Sequence, residues 1–292
     1  MRLITKVLGL AVAATLLAGA ANAAEKIRFA ITDLVGLEQV QREFGKFRDV
    51  LSEKSGLEID FFAVTNRTAA VEALRSEKVD FVLTGPAEYV VMHKKTKAYP
   101  VAGFSRPDYF SGVVVLADSG ITSVQQLVDK RVAFGDVGST SNHLAPMQVL
   151  ADYGLDPRKE IKPMHVGYNV AWEALKRGDV AALGTNYGKF LRFRAKEKEL
   201  EPGAYRVIAR GPDLPNDVLL AAPHVDKAHV EAMRQAFAEH SAELIDAILV
   251  GEENAKYKGM KFLTGVSDND YHYVRQMYAT IGYPEYAEFV GE

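Results

Sequence analysis

The fold is decided by the stretch VDFVLTGPAEY at residues 79–89. An apolar run at 79–83 ends at Gly85 and Pro86, and proline is favoured at the first position of a helix because its missing N–H needs no partner there. We therefore predict a strand followed directly by a helix that runs to about Lys94. The same change from strand to helix recurs before and after this stretch, which is typical of an α/β fold.

Two lobes are predicted, because one segment interrupts this alternation. Residues 99–104 and 111–116 are predicted strands on either side of a short polar segment, and the alternation of strand and helix resumes after them. A second crossing between the lobes is predicted near 210–218. The expected fold class is α/β, with each lobe a mixed, mostly parallel sheet flanked by helices. A ligand is expected in the cleft between the lobes, near the carboxyl ends of strands.

The first 23 residues are predicted to be an export signal. Arg2 and Lys6 precede an apolar run at 7–17 that is short for a membrane span, and a small-x-small cleavage pattern ends at Ala23. We expect cleavage after Ala23 and a mature protein in the periplasm; the alternative is a membrane anchor. The predicted segments are the signal peptide at 1–23, lobe 1 at 24–110 plus 218–292, and lobe 2 at 111–217.

Composition limits the partners and the chemistry. The predicted mature chain has 269 residues (292 minus 23), and removing Arg2 and Lys6 leaves 33 basic against 38 acidic residues, a formal net charge of −5. Without a basic surplus we expect no nucleic-acid partner. The sequence contains no cysteine, which excludes thiolate metal ligands and cysteine nucleophiles. The seven histidines form no pair at metal-ligand spacing beside a carboxylate, so we expect neither a metal nor a cofactor.

The strongest local pattern is FGDVGSTSNHL at residues 134–144. A predicted strand ends at Phe134, and a predicted helix begins near Ser141 after a turn bracketed by glycines. The first N–H groups of a helix have no partner inside it and lie at the positive end of the helix dipole, so an oxyanion can accept them. The hydroxyls of Ser139, Thr140 and Ser141 add donors that suit a tetrahedral anion; the alternative is ordinary helix capping.

These patterns resemble the phosphate, phosphite and phosphonate periplasmic substrate-binding proteins of ABC transporters. The resemblance rests on Ser139-Thr140-Ser141 followed by Leu144 and Pro146, and on three further stretches: TNRTAAVEAL at 65–74, VDFVLTGPAEY at 79–89 and PDLPND at 212–217. It covers nearly all of the predicted mature chain. It implies a type II periplasmic-binding-protein fold that holds a small oxyanion without chemistry.

The resemblance also implies contacts for individual residues. Tyr89 stands where the family offers a tyrosine hydroxyl to the ligand. Arg67 stands where the family usually has a tyrosine, and an arginine there can make bidentate hydrogen bonds to an oxyanion. Asp217 matches an acidic position that faces the remainder of the ligand or accepts its proton. His143, just inside the predicted helix start, either contacts the ligand or has a surface or packing role.

Three residues of lobe 2 are predicted to complete the site. Asn169 stands where the family typically has a histidine, and asparagine can donate a hydrogen bond but cannot become cationic. Asn186 and Tyr187 follow the next predicted strand, where family members also reach the cleft. These departures leave the identity of the oxyanion open.

The predicted function is a periplasmic solute-binding protein that closes on phosphonate, phosphite or phosphate. We expect a monomer that works with an ABC permease of the inner membrane. One alternative is a sensor subunit that presents its ligand to a histidine kinase. Another is a different oxyanion, such as arsenite, a sulfonate or a carboxylate, although the missing cysteines weigh against arsenite. A third is an exported transferase or hydrolase, for which Asp217 and His143 are the evident general-base candidates.

Overall fold

The computed structural model describes residues 26–287, and the predicted signal peptide at 1–23 lies outside them. The strands are β1 (Ile27–Ile31), β2 (Ile59–Phe61), β3 (Phe81–Thr84), β4 (Tyr99–Phe104), β5 (Phe110–Leu116), β6 (Arg131–Phe134), β7 (Lys162–His165), β8 (Ala182–Asn186), β9 (Tyr205–Asp213), β10 (Asp217–Ala221) and β11 (Phe262–Leu263). The α-helices are α1 (Leu37–Ser55), α2 (Arg67–Arg75), α3 (Pro86–Thr96), α4 (Ala145–Asp152), α5 (Tyr168–Lys176), α6 (Tyr187–Lys196), α7 (Lys227–Glu239), α8 (Ser241–Ile248) and α9 (His272–Thr280). A π-helical turn at Thr140–Leu144 precedes α4. Within residues 26–287, no helix combines the length and the apolar character needed to cross a bilayer.

Each lobe is built on one central sheet. The strand order is β11-β4-β10-β3-β1-β2 in lobe 1 and β7-β6-β8-β5-β9 in lobe 2. The chain passes from the first sheet to the second between β4 and β5, at residues 105–109, and returns between β9 and β10, at residues 214–216. The structure is therefore an α/β fold with two lobes joined by two short crossings.

The sheets are mixed, with a larger antiparallel share than the alternation of strands and helices suggests. The pairs β1–β2, β1–β3, β6–β7 and β6–β8 are parallel. The pairs that involve β4, β5, β9, β10 or β11 are antiparallel. Four of the five antiparallel pairs involve β5 or β10, and each of these two strands enters its sheet directly after a crossing, without the helical connection that parallel neighbours require.

The C-terminal region is less continuous than its apolar spacing indicates. That spacing predicts helices over 226–249 and 268–281. The structure instead has α7 and α8 with a break at His240, followed by a 3-10 helix at Glu252–Tyr257 and by β11. The 3-10 helix that the spacing does not predict contributes to the cleft, because residues of the segment 252–257 line the cavity.

Aromatic rings form the centre of the core of lobe 1. Phe47 of α1 is 1% exposed, and its ring lies between 6.0 and 6.3 Å from the rings of Phe29, Phe44, Phe104 and Phe237, centroid to centroid. These residues come from α1, β1, β4 and α7, so one cluster ties the sheet to the helices on its face. The cluster holds the strands whose carboxyl ends reach the cleft.

Helix α9 packs against both lobes. Its apolar side chains belong to the core of lobe 1, and the hydroxyl of Tyr278 donates to the carbonyl of Ala87 at the start of α3, at 2.9 Å. On its other side, the hydroxyl of Tyr273 donates to the carboxylate of Asp152 in α4, at 3.0 Å. The C-terminal helix therefore connects the two lobes at a place remote from the crossings in sequence.

Replacing Phe47 with alanine removes a fully buried ring from the aromatic cluster. We expect the free energy of unfolding to fall by about 3–5 kcal/mol, because the lost burial adds to the cost of the cavity left behind. Urea unfolding followed by circular dichroism measures the change. The matched control is Val250→Ala at a residue that is 65% exposed, which should change stability by less than about 0.5 kcal/mol. A loss for Phe47→Ala as small as that of the control would contradict the packing described.

Candidate functional site

A cavity of about 290 Å³ lies between the two lobes. Its walls come from the carboxyl ends of β1 and β3, the N-termini of α2, α3 and α6, the π-helical turn before α4, the first crossing, the start of β10 and the 3-10 helix at Glu252–Tyr257. Several helices therefore begin at one cavity, with the positive ends of their dipoles towards it. This arrangement favours an anionic ligand.

The main contribution of lobe 2 is the π-helical turn at 140–144. The carbonyl of Ser139 accepts the N–H groups of both His143, at 3.1 Å, and Leu144, at 3.0 Å. In the part of the chain that the structure describes, the N–H groups of residues 140–142 have no acceptor. We call residues 139–142 the amide cradle, because its free backbone donors can bind an oxyanion.

Two glycines and one asparagine position the amide cradle. An added Cβ at Gly135 would lie 2.7 Å from the Cβ of Asn142, so only glycine allows this close approach. Gly138 has a φ of +89°, which other residues rarely adopt. The side chain of Asn142 accepts the N–H of Asn186 at 3.1 Å and so joins the cradle to the end of β8. The glycine-bracketed sequence is thus a geometric requirement of the turn.

Thr140 links the amide cradle to lobe 1. Its hydroxyl oxygen accepts the N–H of Ala87, in the first turn of α3, at 3.0 Å. Gly85 lies against the same hydroxyl, since an added Cβ there would be 3.7 Å from it. Because the oxygen accepts from α3, the hydroxyl proton remains available for donation into the cavity. An interlobe hydrogen bond therefore lies beside the free amides.

The wall of lobe 1 carries carboxylates and cations in pairs. Arg67 forms an ion pair with Glu88, and Nζ of Lys256 lies 2.5 Å from Oδ2 of Asp33. Burial raises the pKa of Glu88 even though Arg67 opposes the rise, whereas Lys256 holds the pKa of Asp33 well below its usual range. The cations of this wall are therefore compensated by carboxylates of the protein itself.

Arg106 of the first crossing pairs with Asp217, which begins β10 directly after the second crossing. The guanidinium of Arg106 lies 3.2 Å from the Asp217 carboxylate, and its central carbon lies 3.6 Å from the centre of the Tyr109 ring. The hydroxyl of Tyr257 donates to the same carboxylate at 2.7 Å. Asp217 is 1% exposed. Its carboxylate therefore accepts hydrogen bonds from two side chains of the protein, those of Arg106 and Tyr257.

The structure brings six of the ten predicted site residues into the lining of the cavity. These residues are Arg67, Ser139, Thr140, Ser141, Asn186 and Asp217. They come from both lobes, as the chain pattern predicts for a cleft site, and Asp217 begins β10 directly after the second crossing. Asn186 also caps α6, because its side chain accepts the N–H of Lys189 at 2.9 Å.

The other four predicted contacts lie outside this lining. Tyr89 is buried in lobe 1, where its hydroxyl donates to Asp268 at 2.8 Å. Tyr187 stacks on Phe110, with 4.5 Å between the ring centres. Asn169 is exposed in the first turn of α5. Sequence position at a helix start shows that a residue is near the cleft, but it does not show which way its side chain points.

His143, the fourth of these residues, is buried beneath the amide cradle. Its Nδ1 accepts the N–H of Gly138 at 3.0 Å, and its ring lies edge-on to that of His165 at 4.5 Å. Burial and the neighbouring His165 lower the pKa of His143 to about 4. At neutral pH the ring is therefore uncharged and supports the turn that carries the cradle.

Sequence reasoning missed most of the cations around the cavity. Arg106 lies in the short polar segment that separates two predicted strands, which is the one signal for it. Lys189 and Arg192 are three residues apart on α6, a spacing that is also common on solvated helix faces. Lys256 lies in the 3-10 helix that apolar spacing does not indicate. In residues 26–287, no group of three or more His, Cys, Asp or Glu is arranged to hold a metal ion.

The two lobes, the paired crossings and the polar cavity between the lobes define a type II periplasmic-binding-protein fold. A family model described as ABC transporter, phosphonate, periplasmic substrate-binding protein matches residues 29–261. The chain belongs to this family, as the resemblance of its motifs predicts. The family consists of binding proteins, which agrees with the prediction of binding without catalysis.

Two curated relatives share less than 30% of their residues with this chain. The phosphonates-binding periplasmic protein of Escherichia coli is 27% identical over 205 residues, which cover 66% of this chain and 60% of that protein. The phosphate-import protein PhnD of Mycolicibacterium smegmatis is 23% identical over 206 residues, covering 65% and 64%. The chain thus spans less than two thirds of the length of these relatives. A solved structure from Prochlorococcus marinus in complex with methylphosphonate has a TM-score of 0.67 at 16% identity, over 89% of this chain and 99% of that one, which shows a shared fold.

The buried position of His143 generates a prediction about acid stability. Between pH 6.5, the ordinary pKa, and about 4, the unfolded chain binds this proton more readily than the folded protein does. The free energy of unfolding should therefore fall as the pH drops through this window, by on the order of 1 kcal/mol per pH unit. His143→Asn keeps an acceptor for Gly138 without a titratable ring, so its stability should depend less steeply on pH.

Urea unfolding at several pH values measures both slopes. The matched histidine control is His229→Asn, at a half-exposed position on α7, which should keep the slope of the unsubstituted protein. Equal slopes for the unsubstituted protein and His143→Asn would show that this ring does not couple folding to protonation.

Proposed function

We propose that this protein binds a small phosphorus oxyanion, namely a phosphonate, phosphite or phosphate, in the cavity between its lobes. The observation that carries the proposal is the amide cradle, whose free N–H groups at 140–142 face a cavity where further helices begin. Membership of the phosphonate family supports the same class of ligand. The protein acts by binding alone and passes its ligand on unchanged.

The size and the donors of the cavity support a small tetrahedral ligand. Its volume of about 290 Å³ is at the lower end of the range for ligand cavities. Hydroxyl donors at 139–141 stand beside the free amides, so several oxygens of one anion can be satisfied together. A planar carboxylate would use fewer of these donors, which is why we favour a phosphorus oxyanion.

Ligand binding and lobe closure are coupled in this proposal. Thr140 of lobe 2 already contacts Ala87 of lobe 1, so a ligand on the amide cradle also lies against α3. A ligand that contacts both lobes binds the closed form more tightly than the open form and shifts the population towards closure. The closed form is then the one that a partner protein recognises.

We propose an inner-membrane ABC permease as that partner and a monomer as the working form. The match to a periplasmic family supports the location. A ligand-presenting sensor for a histidine kinase would use the same site, and recovery of the kinase instead of the permease in cross-linking would favour it.

The predicted signal peptide is testable by mass spectrometry. Protein recovered from the periplasm should begin at Ala24, because the small-x-small pattern ends at Ala23. Substitution of Ala23 by a bulky residue should leave the precursor uncleaved, whereas the same substitution at Ala13 should not. A mature chain that retains Met1 would contradict the assignment.

Calorimetric titration with phosphite, methylphosphonate, phosphate, sulfate, methanesulfonate, acetate and arsenite tests the ligand class. We expect a phosphorus oxyanion to bind most tightly. Thr140→Val should weaken that binding roughly tenfold to a hundredfold, because one hydrogen bond to a charged ligand contributes about 1.5–3 kcal/mol.

The matched control is Thr140→Ser, which keeps the hydroxyl and should stay close to the affinity of the unsubstituted protein. Preference for a sulfonate or a carboxylate would overturn the proposed ligand class. An unchanged affinity in Thr140→Val would overturn the proposed site.

A further inference from the structure

Two cations in the wall of lobe 2 have no carboxylate partner among residues 26–287. Lys189 and Arg192 are three residues apart on α6 and both line the cavity. No carboxylate oxygen of residues 26–287 lies within 4.0 Å of either side chain. Asp136 and Glu253 line the same cavity at exposed positions and lie beyond that distance.

Comparable lysines elsewhere in the described chain are paired. Nζ of Lys176 lies 2.6 Å from the carboxylate of Glu199, and its side chain is 8% exposed. Nζ of Lys256 lies 2.5 Å from Asp33, and its side chain is 20% exposed. Burial without a counter-charge is costly for an ammonium group, so pairing is the usual solution. Lys189 differs from these lysines, because no carboxylate of the described residues pairs with its ammonium group.

The surroundings of Lys189 compensate its charge only in part. Its Nζ lies 4.5 Å from the centre of the Tyr168 ring, a cation–π contact. Burial and the neighbouring Arg192 lower its pKa. Like charges three residues apart on one helix face repel each other. Arg192 is exposed and Lys189 is half-buried, so the unfavourable charge at this wall is mainly that of Lys189.

Within the described chain, the cavity-lining cations of lobe 1 are paired with carboxylates, whereas those in the cavity wall of lobe 2 are not. In lobe 1, Arg67 is paired with Glu88 and Lys256 with Asp33, and at the crossings Arg106 is paired with Asp217. In lobe 2, the neutral donors of the amide cradle stand near two unpaired cations. A ligand with two negative charges would match the cations of lobe 2 without breaking any ion pair of lobe 1.

We propose that Lys189 and Arg192 supply the counter-charge for a doubly charged oxyanion and thereby select a phosphonate or phosphate dianion over a singly charged sulfonate. The inference rests on the proposed function, since it assigns two further ligand contacts to the same cavity.

Calorimetry with methylphosphonate and methanesulfonate at about pH 8 tests the proposal. Lys189→Gln should weaken binding of methylphosphonate roughly tenfold to a hundredfold, and binding of methanesulfonate by a smaller factor. Lys189→Arg keeps the charge and should retain most of the affinity. The matched control is Lys196→Gln, at an exposed position on the same helix, which should stay within about twofold of the unsubstituted protein.

Thermal unfolding of the ligand-free variants separates charge recognition from a structural role. Because Lys189→Gln removes a repulsive pair, its melting temperature without ligand should equal or exceed that of the unsubstituted protein. A fall in this melting temperature, or an affinity for methylphosphonate within twofold of the unsubstituted protein, would overturn the inference. Failure of the unsubstituted protein to bind any oxyanion would instead remove the proposed function on which the inference depends.

Discussion

A helix that begins inside a protein leaves N–H groups that need acceptors, and this constraint organises the cleft. At α2 and α6 the need is met in part and locally, because the side chains of Asn66 and Asn186 each accept one N–H of their own helix. At α3 it is met from the opposite lobe, by the hydroxyl of Thr140. At residues 140–142, within the described chain, it is not met at all. A ligand can accept these N–H groups, so the binding site is a consequence of how the helices begin.

Ion pairs then set the geometry around those donors. Asp217 receives Arg106 from one crossing and Tyr257 from the C-terminal part of the chain. Such a buried carboxylate is stable only with its partners in place, since removing one leaves an uncompensated charge. The first crossing is therefore tied to the second, where Asn216 accepts the N–H of Arg106 and Asp217 accepts its guanidinium.

The chain pattern predicts the two lobes, the crossings and the location of the cradle, because strand ends, glycines and hydroxyls are local features. It does not predict which side chains at a helix start face the cleft. Tyr89 turns away because its hydroxyl bonds to Asp268, a residue 179 positions further along. Lys256 reaches the cavity from a 3-10 helix whose position depends on packing against lobe 1. Local sequence patterns cannot predict contacts between residues that are so far apart in the chain.

The position of α9 has a consequence for how far the lobes can separate. It bonds to α3 through Tyr278 and to α4 through Tyr273, so the domains cannot swing apart freely about the crossings. Opening requires either rupture of the contact with α4 or a sliding of that helix along the surface of α9. Sliding between packed helices proceeds in steps set by interlocking side chains. Without ligand, the two lobes should therefore adopt a small number of discrete degrees of opening instead of a continuous range of separations.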